Sequence, residues 1–329
     1  MTYSSGSQIL ATDYNTFVGN TTAGLNRVWS TGAGDAGWGQ TDIATVSTSG
    51  IVTATNWATL VNNLATSGTQ SNTAITSRTA PVTGNIIGIL ANVATDITSI
   101  TTNRGNAATS GTEYGTFSGT TSKTTATGSV QTTWTITFTH TVTFPTADQA
   151  RYFWNAGGRV RLQYAKSSTG TDIDPDWNTF AGLCGSIYVS GRVNSAAQTI
   201  SGTSYTGTTR IGGTGGTQTT LTTTTGWYQL TGTPTTIFQL NNAASPYTGE
   251  YIRTTATQTS STVLTLVTTW FQPAVSAAGT TCNISGGTAT NSPSTTITGT
   301  APTTLVTYIP PGSTLSNSWG TPTIAASVA

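Results

Sequence analysis

The stretch from Trp134 to Phe144 constrains this chain more than any other. Trp134, Ile136, Phe138, Val142 and Phe144 alternate with Thr135, Thr137, Thr139, Thr141 and Thr143. A period of two sends successive side chains to opposite faces of a strand. One face is therefore apolar and must be covered, and the other is paved with threonine. The same alternation returns at Val160, Leu162 and Tyr164, set against Arg159, Arg161 and Gln163. Further strands are predicted at 185–190, 226–230, 235–240, 251–257, 263–270 and 305–309. Gly, Asn and Pro punctuate them, as in the glycine-rich run 211–216. Many short strands at hairpin spacing imply an antiparallel β-sandwich.

Two helices interrupt this pattern. Thr146-Ala147-Asp148-Gln149 reads as a capping box, with the helix ending at Gly157-Gly158. Asp174-Pro175 reads as a cap followed by a first-turn proline, with Trp177, Phe180 and Cys184 along one side of the helix. Before residue 115 the character is different. Thr12-Asp13-Tyr14-Asn15-Thr16-Phe17-Val18 and Thr55-Asn56-Trp57-Ala58-Thr59-Leu60-Val61 form a weak internal repeat. In each copy the Thr followed by Asp or Asn is expected to cap a helix. Trp57, Leu60, Val61 and Leu64 then fall on one stripe. Between the copies, 32–39 holds four glycines and Trp38, a loop suited to gripping an aromatic ring. A third helical spacing covers 84–100 through Ile86, Ile89, Leu90, Val93, Ile97 and Ile100, with Asp96 as the only charge on its polar face. Such a helix needs a partner, either another copy of the chain or the chain's own core. The expected fold is mainly β, with a partly helical region for attachment and oligomerisation at 1–115 and a β-rich exposed domain at 116–329.

Charge decides which functions are open. Only 6% of the 329 residues are Asp, Glu, Lys or Arg, against about 25% in an ordinary domain. The net charge is +1 and no basic face is visible, so nucleic acid is not an expected partner. Near-neutral copies repel each other little, which suits an assembly. Nine Trp, eleven Tyr and eight Phe supply a core. Cys184 and Cys282 are far apart and make one disulfide or none. The opening MTYSSGSQIL has neither a basic n-region nor an apolar h-region, and no stretch approaches 18 apolar residues, so neither a signal peptide nor a membrane span is expected.

Candidate chemistry is sparse. His140, the only histidine, falls on the inward side of its strand, where packing is the expected role rather than general-base catalysis. No nucleophile-elbow motif accompanies it. Asp172, Asp174 and Asp176 start like a calcium loop, but Trp177 stands where glycine is needed and Leu183 where glutamate is needed. Their expected role is to place charge at the start of the following helix. Ten carboxylates are spread along the chain, and nothing singles out a glycan-cleaving pair. Arg151, Arg159, Arg161 and Lys166 cluster without a glycine-rich lysine motif, so a subunit contact or salt bridge is favoured over phosphate binding. No enzyme activity, metal or cofactor is expected. The candidate assembly residues are Arg151, Arg159, Arg161, Trp57, Leu60, Ile86, Ile89 and Val93.

A family resemblance sharpens this expectation. The run Ala150-Arg151-Tyr152-Phe153-Trp154-Asn155-Ala156-Gly157-Gly158-Arg159-Val160-Arg161 resembles the "FFNxGGxIR" core of a virion structural protein family of tailed bacteriophages, common in cyanophages and other marine phages. Upstream, Gly37-Trp38-Gly39-Gln40 through Thr55-Asn56-Trp57-Ala58-Thr59-Leu60 resembles that family's "YGQ…VTAxxWNxL". Downstream, Asp176-Trp177-Asn178-Thr179-Phe180 resembles "TxWTNLL", Gly226-Trp227-Tyr228-Gln229-Leu230 through Phe238 resembles "GFYxLT…IF", and Pro246-Tyr247 to Tyr251 resembles "YxxNxY". The pieces are collinear from about residue 37 to 270. Trp154 stands where the family has Phe, and the stretch around 173–175 departs from the pattern. The resemblance implies a tail, neck or fibre component, made in the host cytoplasm and incorporated into the virion. Its expected partners are other tail or neck proteins and copies of itself, with a homotrimer expected and a dimer or ring as alternatives. Binding of host surface glycan, or decoration of the capsid, are the alternative roles.

Overall fold

Alternation along 134–144 becomes a strand whose inward residues Trp134, Ile136, Phe138, His140 and Val142 are all buried, while the threonines between them are exposed or half-buried. The computed structural model describes residues 10–329 apart from 22, 85–91, 121–132, 168–172, 193–195, 224, 244–246, 276–280, 285–286, 291–296 and 298–299. The helices are α1 (Ala11–Val18), α2 (Asn26–Trp29), α3 (Ala54–Gln70), α4 (Val93–Asn103), α5 (Ala147–Asn155) and α6 (Ile173–Cys184). The strands are β1 (Tyr114–Thr120), β2 (Trp134–Thr143), β3 (Arg159–Ala165), β4 (Ser186–Ser190), β5 (Gln198–Ile200), β6 (Thr203–Tyr205), β7 (Thr208–Ile211), β8 (Thr217–Leu221), β9 (Thr235–Asn241), β10 (Tyr251–Ser260), β11 (Val263–Gln272), β12 (Thr281–Ile284), β13 (Gly287–Thr290), β14 (Thr303–Ile309) and β15 (Thr323–Val328). The protein is mainly β, with helices concentrated before residue 115 and antiparallel sheets after it.

A five-stranded sheet runs β1-β14-β3-β4-β7, and a six-stranded sheet runs β15-β2-β11-β10-β9-β8. β5-β6 and β12-β13 are separate two-stranded ribbons. The two large sheets meet through their inner faces. Tyr164 of β3 stacks on Phe238 of β9 at 5.7 Å, and its hydroxyl lies 2.7 Å from Thr254 Oγ1 of β10. Trp270 of β11 donates its indole N–H to Thr304 Oγ1 of β14 at 3.1 Å. Each buried polar tip thus finds a threonine across the sandwich, which offsets the cost of its desolvation. One hydrophobic cluster continues from Tyr14 and Trp57 through Trp154 to Ile324, so helices and sheets share a core.

The two repeat copies became α1 and the start of α3, and they pack on each other: Tyr14 and Trp57 meet edge to face at 5.4 Å. The caps differ from expectation. Thr12 and Thr55 lie inside their helices, and the residues before the first turn are Leu10 and Thr53. Asp13 and Asn56 take the third helical position, and their side chains accept from the backbone N–H of Leu10 at 3.2 Å and of Thr53 at 2.9 Å. The repeated Asp or Asn is therefore the return arm of a capping box. Thr12 and Thr55 instead accept, through their carbonyls, the hydroxyls of Thr16 and Thr59, both at 2.9 Å.

Other expectations need correction. The segment 226–230 is a 3-10 turn, Trp227–Gln229, because Trp227 stacks on Trp154 at 5.0 Å and so follows the core rather than a ladder. Asp174 lies within the first turn of α6, with Pro175 behind it, and does not cap the helix. Asp96 does not belong to a solvated polar face. It is buried on α4 and paired with Arg78 at 2.6 Å. Of the spacing read over 84–100, Ile86, Ile89 and Leu90 lie outside the described residues. Cys184 is a buried free thiol whose Sγ contacts Phe180 O at 3.5 Å.

Candidate functional site

The segment 150–161 is the joint of the molecule. Thr146 Oγ1 accepts from Gln149 N at 3.1 Å and starts α5; Gly157, at φ +97°, ends it in a conformation that side chains resist. Asn155, at the end of the helix, donates to Gly37 O at 2.9 Å and also to Asp35 O. Arg151 donates to Thr31 O at 2.6 Å and Gly34 O at 3.0 Å, and pairs with Asp148 at 3.0 Å. Tyr228 bonds back to Arg151 O and Asn155 Oδ1, both at 3.2 Å. Trp38, from the glycine-rich loop, is fully buried and donates to Arg104 O at 3.2 Å and Asn155 O at 3.3 Å. Gly39, at φ +71°, lets the chain pass against the Tyr152 ring, where a Cβ would collide.

β3 carries Arg159 and Arg161 on the outer side of the five-stranded sheet. Arg159 is buried, lies 4.6 Å over the Tyr205 ring and donates to Ser110 Oγ at 2.5 Å; desolvation lowers its pKa. Arg161 pairs with Glu113 at 2.7 Å, and Glu113 also accepts from the Thr307 hydroxyl. These contacts hold the strand-like segment 110–113 beside β14. Next to it lies a cleft of about 670 Å³ between that segment and 308–321, lined by Ser110, Tyr114, Tyr308, Pro311, Asn317 and Trp319. Tyr114 is 50% exposed and stacks on Tyr308 at 5.7 Å. Aromatic faces, hydroxyls and an amide are what a neutral, ring-shaped polyol can use.

Trp57, Leu60 and Val93 are buried in the chain's own core, and Ile86 and Ile89 lie outside the described residues. The three arginines make contacts within the chain. Sequence reasoning placed Arg159 and Arg161 on one surface but did not find Glu113, Tyr114 or Tyr308, whose meeting depends on pairing between β1 and β14.

A second polar group sits at the start of α6. Lys166 and Asp174 form a fully buried pair at 2.6 Å. Asn242 Nδ2 donates to Asp176 Oδ2 at 3.1 Å and to Glu250 Oε2 at 2.8 Å. Glu250 is fully buried, and burial followed by the neighbouring Asp176 charge pushes its pKa well up. Burial also raises Asp176. The Asp172 of the acidic run lies outside the described residues. Among the described residues no group of three or more His, Cys, Asp or Glu side chains converges, and no helix is long and apolar enough to cross a membrane.

Compared with known proteins, the chain matches no family model, no curated relative and no solved structure.

Proposed function

We propose that this chain is a structural component of a tailed-phage virion, in the tail, neck or a fibre, acting by self-assembly and by attachment to other virion proteins, without a catalytic step. The carrying observation is the outer face of the six-stranded sheet. Strand register sets Ser327, Thr139, Val267 and Thr255 in one row across four strands, and Ala325, Thr141, Thr265 and Thr257 in the next. A surface of hydroxyls and methyls is cheap to desolvate compared with a charged one, and small side chains let another surface approach closely. The chain's low charge fits the same role, since charge repulsion between copies is slight. The collinear resemblance from about residue 37 to 270, with its core at 150–161, supports a virion setting. Sedimentation equilibrium tests the assembly step: a closed oligomer of the 33.7 kDa chain is expected, with a trimer first. Thr141→Lys with Thr265→Lys should dissociate it without changing the circular dichroism spectrum. A monomer at every concentration, or an oligomer indifferent to those charges, contradicts the reading.

The exposed Tyr114 ring favours a second reading, a glycan-binding module using the 670 Å³ cleft. It predicts retention on host surface polysaccharide that Tyr114→Ala removes. Equal retention of the variant refutes it.

A further inference from the structure

Among the described residues the two large sheets end in the edge strands β1, β7, β8 and β15. Three of these are blunted. β1 carries a register shift between Tyr114 and Phe117, β8 carries one between Gln218 and Thr220, and β7 is four residues long and holds Arg210. Bulges, charges and shortness keep foreign strands off a sheet edge. β15 has none of them: Thr323-Ile324-Ala325-Ala326-Ser327-Val328 is uncharged, free of proline and paired to β2 in unbroken register. Ala329, just beyond it, exchanges both backbone hydrogen bonds with Thr137 at 2.9 Å. Antiparallel pairs alternate between bonded and non-bonded, so Ser327, Ala325 and Thr323 also bond to β2. The N–H and C=O groups of Ile324, Ala326 and Val328 therefore point away from the sheet, and among the described residues nothing bonds to them. β1, the edge of the other sheet, is bonded to β14 and not to β15. Ala326 is exposed although its register partner His140 is fully buried, so the edge is open at its middle.

We propose that β15 pairs with β15 of a second copy of this chain, antiparallel about a two-fold axis at Ala326. The register is self-complementary. Setting Ala326 opposite its own counterpart also sets Ile324 opposite the counterpart of Val328, and each such pair closes two backbone hydrogen bonds. All the outward groups of the edge are then satisfied. Ile324 and Val328 share the inward side of the strand, so apolar side chains meet on both sides of the axis. Like charges directly opposite one another destabilise a strand pair, and a two-fold axis would impose that on any charged residue at its centre; β15 offers none. On the outer side Ala325 adjoins the counterpart of Ser327, so the surface of hydroxyls and methyls runs on across the join. One sheet becomes continuous through two copies, an isologous form of strand addition. The contact is an edge and not the outer face of the sheet. It joins copies in twos whatever the face builds, so either contact can fail without the other.

Hydrogen exchange of the full chain, read residue by residue and paired with sedimentation, is the test. In the associated chain the amides of Ile324, Ala326 and Val328 should exchange at least about tenfold more slowly than in the diluted, dissociated chain. The amides of Ala325 and Ser327 bond to β2 and should be protected in both. Ala326→Lys places two like charges face to face at the axis and should abolish the concentration-dependent protection, as should Ala326→Glu. An equimolar mixture of the two variants should restore it. Position 326 is exposed and its N–H lies outside the ladder with β2, so both variants should keep the wild-type circular dichroism spectrum. If either variant does not fold, the alternating protection of the wild-type chain still decides. Free exchange at 324, 326 and 328 in an associated sample overturns the proposal and leaves assembly through the outer face standing. Protection of the three amides in a monomer overturns it too, because the edge would then be covered within the chain. So does protection that both charged variants retain.

Discussion

Replacing Lys166 by Met should be among the most damaging single changes outside the aromatic core. The Lys166 ammonium and the Asp174 carboxylate have no exposed side-chain area, lie 2.6 Å apart, and Lys166 also donates to Ser167 O at 3.0 Å. Met keeps the stem and removes the charge, so the Asp174 carboxyl loses its ammonium partner in a dry site. Breaking a buried pair from one side costs about 3–5 kcal/mol. Unfolding entropy of about 2.1 cal/mol/K per residue gives about 0.7 kcal/mol/K for 329 residues. The melting temperature should therefore fall by about 4–7 °C, read by calorimetry or by circular dichroism. The double variant Lys166→Met with Asp174→Leu removes both charges and should recover most of the loss, because an apolar replacement of a whole pair is often neutral. The reasoning fails if Lys166→Met melts within about 1 °C of wild type, or if the double variant falls by the sum of the two single changes.

Other perturbations separate the remaining claims. Trp154→Ala removes a ring packed against Phe144, Phe153 and Trp227 and should cost about 3–5 kcal/mol in urea titration. Asn56→Ala breaks the capping box of α3 and should cost about 1 kcal/mol, whereas the exposed Thr55→Ala should stay within about 0.5 kcal/mol; equal effects would contradict the cap assignment. Stability should also depend on pH through Glu250. Its folded pKa is raised above 4.5 by burial and by Asp176, so the folded chain holds that proton more tightly than the unfolded chain. This stabilisation is complete below about 4.5 and is lost as pH rises through the raised value. Glu250→Gln should flatten that fall, and an unchanged pH profile would refute the assignment.

What the sequence disclosed was local. The alternation in β2 and β3 needs only neighbouring residues, and so does the Thr146 cap of α5 with its glycine stop. The segment 226–230 misled because its aromatic residues satisfy a strand pattern equally well, while the stacking of Trp227 on Trp154 is a long-range fact. The repeat of α1 and α3 was visible but its capping register was not: a Thr inside the first turn and a Thr before it look alike until the Asn56 side chain is seen reaching back. The cleft and the carboxyl pair were hidden for a related reason. Tyr114 meets Tyr308, and Asp176 meets Glu250, only through strand pairing and the docking of α6.

Immunogold labelling of purified phage particles that encode this chain tests the central claim most directly. Label confined to the tail, neck or fibres is the predicted result. Label spread over the capsid would assign a decoration role instead, and intact and disrupted particles that both lack label would contradict a virion component altogether.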